Sequence, residues 1–296
     1  MCIRDRLRRK PPGKLLKSAH AVDRECRVMT ALHDTDVPVP KTFGYCDDET
    51  IIGTPFFVMD HVIGNIYWEL LLPGCDPNQR REIYLSMNDT IAKLHNVDFD
   101  KVNLADYGKH ENYMDRQIHR WTKQYKDSET QMIPEINELI EWLPKNIPSD
   151  QETSIVHGDF RLDNMIFDPI THEVKAILDW ELSTLGNPIA DFTYHMMSWR
   201  LPAGAKGLGM MGSDLKSLNI PSESEYAELY YKKTGREKID NWDFYMAYNI
   251  FRLAGIAQGI VGRVRDGTAS SSEAKNYEAF VPILGKLGWS IVEGIK

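Results

Sequence analysis

The chain has no Cys-x-x-C pair, no long uncharged apolar run and no excess of positive charge. Its 296 residues include only four cysteines, Cys2, Cys26, Cys46 and Cys75. Scattered cysteines argue against a zinc site or a disulfide framework and fit a reducing cytoplasm. A stretch of about 20 uncharged apolar residues is missing, so no spanning helix and no membrane partner is expected. The longest apolar region, Phe244 to Val261, is interrupted by Asn249, Arg252 and Gln258 and reads as a buried helix. The formal net charge is -8, which argues against a nucleic-acid partner, because such a partner needs a basic face. Residues 1–10 are basic with no apolar run behind them, so no signal peptide is expected. Internal repeats are also lacking. What remains is an ordinary globular composition, 42% hydrophobic and 26% charged, long enough for one large domain or two lobes.

The opening MCIRDR reads as an entry in mid-strand, so a truncated or replaced N-terminus is expected. Residues 1–60 read as a small α/β region. A strand at Leu7–Lys10 stops at Pro11-Pro12-Gly13. Ser18 is a candidate N-cap for a helix that turns Val22, Cys26, Met29 and Leu32 inward. Val37 to Pro40 is extended. Ile51-Ile52 and Phe56 to Met59 read as strands, and 61–66 as a linker. Helices are expected from Pro77 to His95, from Tyr113 to Tyr125 and from Glu135 to Leu143. Between 153 and 179 the period shortens. Ser154 to Val156 is a strand, and Met165 to Phe167 pairs with Val174 to Leu178 as a hairpin. Asn187 can cap a helix that starts at Pro188. The glycines between Ala203 and Gly212 suggest a mobile loop, and the Gly-x-Gly within it is a weak phosphate-loop candidate because no strand precedes it.

The chemistry concentrates in HGDFRLDN, His157 to Asn164, and ILDWE, Ile177 to Glu181. Asp159 falls on a loop just after a strand, five residues before Asn164, and Asp179 follows the hairpin. That order suits phosphoryl transfer: one carboxylate accepts a hydroxyl proton, while an amide and a second carboxylate hold Mg²⁺ against nucleotide phosphates. Gly158 stands where the protein-kinase motif has Arg, so that motif is not matched. Turn chemistry alone would also favour Asp and Asn at these positions, but not the combination with Asp179. Arg252, inside an apolar helix, needs a carboxylate partner or a cleft.

HGDxxxxN with a later hydrophobic-Asp-Trp-Glu resembles the aminoglycoside phosphotransferase-like kinases. RRKPPGKLL, DREC, GTPFFVMD, HGDFRLDNMIF and LDWELSTLGNP resemble in particular the branch found as a domain of acyl-CoA dehydrogenase-linked proteins. The resemblance implies an α/β (α+β), two-lobed protein-kinase-like fold. A small, N-terminally truncated, β-rich N-lobe would occupy 1–62, and a larger, mostly helical C-lobe 63–296. It implies ATP and Mg²⁺ as cofactors and a small-molecule hydroxyl as acceptor, with a hydroxy acid or hydroxyacyl-CoA favoured. Asp159 would be the catalytic base, and Asn164 and Asp179 the metal ligands. Glu25 would pair with a strand cation, Arg8 rather than Arg9 or Lys10, in place of the usual Lys. Met59, Asp60, His61 and Val62 would receive adenine, and His157 and Asp191 would support the loop. Arg252 and Glu181 are candidates for substrate contact. The Gly-rich loop should precede Leu7 and is not in the sequence. The rival readings are a nucleotide-binding pseudokinase, an aminoglycoside-type kinase and a protein kinase. The last has little room for an activation loop after Asp179.

Overall fold

Alternation in the first strand decides which of three consecutive cations turns inward. In the computed structural model, which describes residues 7–10, 21–149, 152–204, 207–268 and 276–295, β1 (Leu7–Arg9) buries Arg8 and exposes its two neighbours. This follows from the two-residue period of a strand. β1 pairs antiparallel with β3 (Phe56–Met59), Arg8 opposite Phe57. β3 pairs on its other side with β2 (Thr42–Cys46), giving the order β1-β3-β2. The expected stop at Pro11-Pro12-Gly13, the Ser18 cap and everything before Leu7 lie outside the described residues.

α1 (Val22–Leu32) buries Val22, Cys26, Met29 and Leu32, as the 3.6-residue period requires, and it also buries Glu25. Two local readings are corrected. Ile51-Ile52 is not a strand but the end of a helical turn, α2 (Glu49–Ile52). The Asp48 side chain caps it through the Thr50 amide, and Gly53 closes it at φ 81°. β2, absent from the sequence reading, is an edge strand exposing Phe43 and Tyr45, so its apolar pattern carried no inward face.

α3 (Pro77–Asn96) starts in a capping box, with Asp76 accepting from the Gln79 amide and the Gln79 side chain accepting from the Asp76 amide. Later elements are α4 (Tyr113–Ser128), α5 (Pro134–Trp142), β4 (Ser154–Val156), β5 (Met165–Phe167), β6 (Val174–Ile177) and β7 (Thr184–Gly186). They are followed by α6 (Pro188–Met196), α7 (Glu223–Thr234), α8 (Trp242–Arg265) and α9 (Phe280–Ile295). β5 and β6 form the expected hairpin, while β4 pairs with β7, a short strand the sequence reading did not assign. Asn187 caps α6 through the Ile189 and Ala190 amides.

The chain forms two compact units. One comprises 1–109, 154–191 and 198–238. In it α3 packs on α7, with the Asn88 amide donating to Tyr226 O at 2.8 Å and the rings of Tyr84, Trp199 and Tyr226 in mutual contact. Within the expected Ala203–Gly212 loop, residues 205 and 206 lie outside the described residues and the far end is tied down. Met210 N donates to Ser198 O and Met211 N to Leu201 O, and Met210 is fully buried. The other unit comprises 110–153, 192–197 and 239–296 and is built on α4, α5, α8 and α9. Gly262 lets α8 approach Ser128 of α4 closely, where an added Cβ would lie 2.7 Å from Ser128 Cβ. Arg252 is buried there with its guanidinium carbon 4.2 Å from the Tyr194 ring centre and 5.4 Å from that of Trp121, so aromatic faces supply much of its surroundings. No described helix is long and apolar enough to cross a membrane.

Candidate active site

The β5–β6 hairpin sets the centre of the site. Met165 lies opposite Ile177, and Leu178 N donates to Asn164 O at 2.8 Å, so Asn164 and Asp179 emerge side by side from the two strand ends. Asn164 then turns to Asp159: its Nδ2 donates to Asp159 O at 2.9 Å and to Asp159 Oδ2 at 3.1 Å. This orients the amide and leaves its oxygen for another partner. Asp179 adopts a left-handed φ of 64°, which Asp tolerates better than most residues.

Four of the expected residues form one charge cluster. Arg8 Nη2 lies 3.1 Å from Glu25 Oε1, 2.9 Å from Asp179 Oδ1 and 3.8 Å from Glu181 Oε2, and Arg8 Nε also donates to Glu25 at 3.3 Å. One cation thus serves three carboxylates. Burial pushes the Glu25 carboxyl up to about 7. Arg8 opposes this, and Asp179 and Glu181 add to it. Burial works against the Arg8 charge, but the carboxylates outweigh it and hold its pKa above the ordinary value. Glu25, Asp179 and Glu181 offer carboxylate oxygens within 4.8 Å of one another. Together with Asn164 this is an all-oxygen donor set of the kind Mg²⁺ prefers.

The loop carrying Asp159 is held from below. His157 N and Gly158 N both donate to the Asp191 carboxylate at 2.8 Å. Asp159 N donates to His157 Nδ1 at 3.2 Å, so the proton sits on Nε2, which donates to Leu178 O at 2.9 Å. The His157 ring lies 4.7 Å from that of Trp180. Gly158 has φ 82°, and a Cβ there would meet Leu182 O, which explains why this position carries no side chain. Asp191 is buried. Burial alone would raise its carboxyl, but the His95 hydrogen bond and the amide donors hold it below the ordinary value.

The remaining expectations fall as follows. Met59 is buried at the end of β3, and Asp60 and His61 are exposed. Val62 packs on Ile166, Ala176 and Leu178, the hairpin that ends at Asp179. Arg252 belongs to the other unit. Sequence reasoning missed His95, whose Nε2 lies 3.3 Å from Asp191 Oδ2 and whose Nδ1 lies 2.8 Å from the Tyr230 hydroxyl. A signal existed: Tyr84, Asn88, Ile91 and His95 share one buried stripe of α3. It also missed Arg24, which lies over the Tyr107 ring at 4.2 Å and donates to Tyr107 O and Ser183 O, tying α1 to the segment after Asp179.

Comparison with known proteins agrees with this architecture. The chain is 46% identical over 284 residues to acyl-CoA dehydrogenase family member 10 of Mus musculus; the match takes in 96% of this chain but only 27% of that protein. The crystal structure of a protein from Ralstonia eutropha, provisionally named an aminoglycoside phosphotransferase, is 48% identical with a TM-score of 0.91, over 97% of this chain and 85% of that one. An aminoglycoside phosphotransferase from Streptomyces rimosus, solved with ADP and streptomycin, is 15% identical with a TM-score of 0.51, over 83% and 85% of the two chains, and shares the fold. The architecture is therefore the two-lobed kinase-like one. A family model described as "Phosphotransferase enzyme family" matches residues 6–228, and the chain belongs to that family.

Proposed function

We propose that this phosphotransferase-family chain moves the γ-phosphoryl group of ATP, with Mg²⁺, to a hydroxyl of a small molecule. The observation that carries the reading is the continuous arrangement Arg8–Glu25–Asp179, set beside Asn164 and Asp159 by a two-stranded hairpin. Asp159 is half-buried and fixed through both its backbone and its carboxylate, which suits a base that accepts the acceptor's proton and aims its oxygen. Arg8, held by Glu25 and Asp179, would place its positive charge beside the nucleotide phosphates. Asn164 and Asp179 would hold Mg²⁺, which when bound neutralises phosphate charge. Met59 to Val62 would receive the adenine, and the two lobes would divide near Val62. His157 and Asp191 would hold the loop in place. Catalysis in this scheme is positioning and charge placement.

A hydroxy acid or hydroxyacyl-CoA is the favoured acceptor, supported by the name of the mouse relative, of which this chain spans little more than a quarter. An aminoglycoside is the second reading, supported by the name of the Ralstonia protein. A protein substrate is disfavoured because residues 180–187 are taken up by a helical turn, β7 and the α6 cap.

The test is calorimetry with Mg-ATP together with ADP release. Asp159→Asn should reduce turnover by about 10³-fold or more and leave Mg-ATP affinity within about threefold. Asp179→Ala should weaken Mg-ATP binding by at least about tenfold. Equal loss of binding in the two variants would contradict the division of roles. A screen of hydroxyacyl-CoA compounds beside kanamycin-type amines decides the acceptor, and turnover of the amines alone would reject the favoured one.

A further inference from the structure

We infer that Tyr107, on the segment that follows α3, is a positioning residue for the metal-nucleotide site: it holds α1 against the turn after Asp179 by contacts that do not pass through Arg8. The inference rests on the phosphotransferase reading above. Two elements supply the three carboxylates around Arg8, Glu25 from α1 and Asp179 and Glu181 from the segment after β6. Like charges within 4.8 Å of one another repel. The Arg8 guanidinium joins the two elements, through Glu25 on one side and Asp179 and Glu181 on the other. When Asp179 turns to a metal ion, the shortest of these contacts, 2.9 Å, is given up. A second tie then has to keep α1 in place.

Tyr107 provides it. The residue is 1% exposed. Its hydroxyl lies 2.6 Å from Ser183 Oγ, which donates to Trp180 O at 2.5 Å, and the Ser183 amide donates to the same oxygen at 3.0 Å. Ser183 gives its proton to Trp180 O, so the Tyr107 hydroxyl is the donor in the first bond. This relay closes the turn that carries Glu181. Burial raises the Tyr107 hydroxyl and keeps its proton in place. The same hydroxyl lies 3.2 Å from Arg24 O. The Arg24 guanidinium lies over the ring at 4.2 Å and donates to Tyr107 O at 2.7 Å. Arg24 precedes Glu25, so the ring grips α1 one residue from the carboxylate. Arg27, one turn on, lies 5.9 Å from the ring centre and donates to Asn103 O at 3.1 Å. Gly108 seats the segment from the other side, where an added Cβ would lie 2.8 Å from Leu185 N of β7. One side chain therefore spans both elements, through Arg24 and Ser183 rather than through Arg8.

Tyr107→Phe removes the hydroxyl and keeps the ring under Arg24. Ser183→Ala cuts the same relay from its other end. Calorimetry of ATP binding over a series of Mg²⁺ concentrations tests the role. The Mg²⁺ concentration for half-maximal binding should rise about five- to tenfold in Tyr107→Phe, while ATP affinity without metal stays within about twofold. Ser183→Ala should match it, and the double variant should be no worse than either single one, because both cut one relay. A purely structural role lowers the melting temperature and the binding-competent fraction but leaves the Mg²⁺ midpoint where it is. Amide hydrogen exchange is a second readout and needs no nucleotide. The α1 amides from Cys26 to Met29 and the Ser183 amide should exchange at least about tenfold faster in Tyr107→Phe, with α3 unchanged. An unmoved Mg²⁺ midpoint in folded Tyr107→Phe, or additive effects in the double variant, overturns the role. If the unsubstituted chain binds no Mg-ATP, the phosphotransferase reading fails on its own. Faster exchange confined to α1 and Ser183 then upholds the Tyr107 tie, and unchanged exchange overturns it.

Discussion

Glu25 and Asp191 are both buried carboxylates of the same unit, yet they are held in opposite ways. Glu25 shares the Arg8 guanidinium with Asp179 and Glu181, and burial pushes its carboxyl up to about 7. Asp191 accepts two backbone amides and a histidine N–H, and its carboxyl is held below the ordinary value. The first cluster gathers three carboxylates around a shared guanidinium and suits a site that gains a cation with its ligand. The second is closed and suits a fixed support. Burial by itself decides neither outcome; the number of donors per carboxylate does.

The largest effect should come from breaking the closed network. Asp191→Ala strands two buried amides and the His95 donor, and should cost about 3–5 kcal/mol of stability. Denaturant unfolding measures it. Asp191 has a lowered folded-state value, so its contribution is present above its unfolded value and disappears as pH falls through the folded one. The gap between the two proteins should therefore close only in acid, below the ordinary value of 3.8. A loss under about 1 kcal/mol at neutral pH would mean that water replaces Asp191 without cost.

Glu25 should show the reverse slope and a smaller amplitude. Its folded-state value, about 7, lies above the ordinary 4.5, so the folded protein binds more protons between those limits. Stability of the metal-free protein should then fall as pH rises from about 4.5 to about 7, by on the order of 2–3 kcal/mol. Glu25→Gln removes the titrating group and should flatten that limb. Parallel pH curves for the two proteins would show that Arg8 satisfies Glu25 fully and would erase the contrast with Asp191.

The two regions also differ in how far they could be read from sequence. The open cluster was largely legible. HGDFRLDN and LDWE mark the hairpin and its polar residues, while the family resemblance singles out Arg8 and Glu25; the strand alternation of β1 and the helical period of α1 explain why the structure buries both. The closed network was legible only at Asp191. His95 and Tyr230 come from α3 and α7 and carry no motif, and a histidine in the last turn of a helix looks like an ordinary dipole cation. Their roles depend on α3 packing against α7, a tertiary fact. The Ile51-Ile52 reading failed for a local reason: the β-branched pair looked like a strand, but Asp48 and Gly53 supply both caps of a helical turn.

The smallest change, Arg8→Lys, tests why the open cluster stays open. Arg8 reaches Glu25 through two nitrogens and Asp179 through one that it shares between them. A lysine keeps the charge but concentrates it at one nitrogen. The Glu25 side chain is 3% exposed and the Asp179 side chain 31%, so leaving Glu25 unpaired costs more, and the ammonium should settle on Glu25. Asp179 is then released. Under the metal assignment proposed above, Mg-ATP no longer has to draw Asp179 away from a guanidinium, and its affinity should rise about two- to fivefold, equivalent to about 0.4–1 kcal/mol. Calorimetry resolves that difference. Weaker binding in the lysine variant would give the Arg8–Asp179 contact the opposite meaning: it would be holding Asp179 in place for the metal, and the nucleotide complex would bind without any exchange of partners.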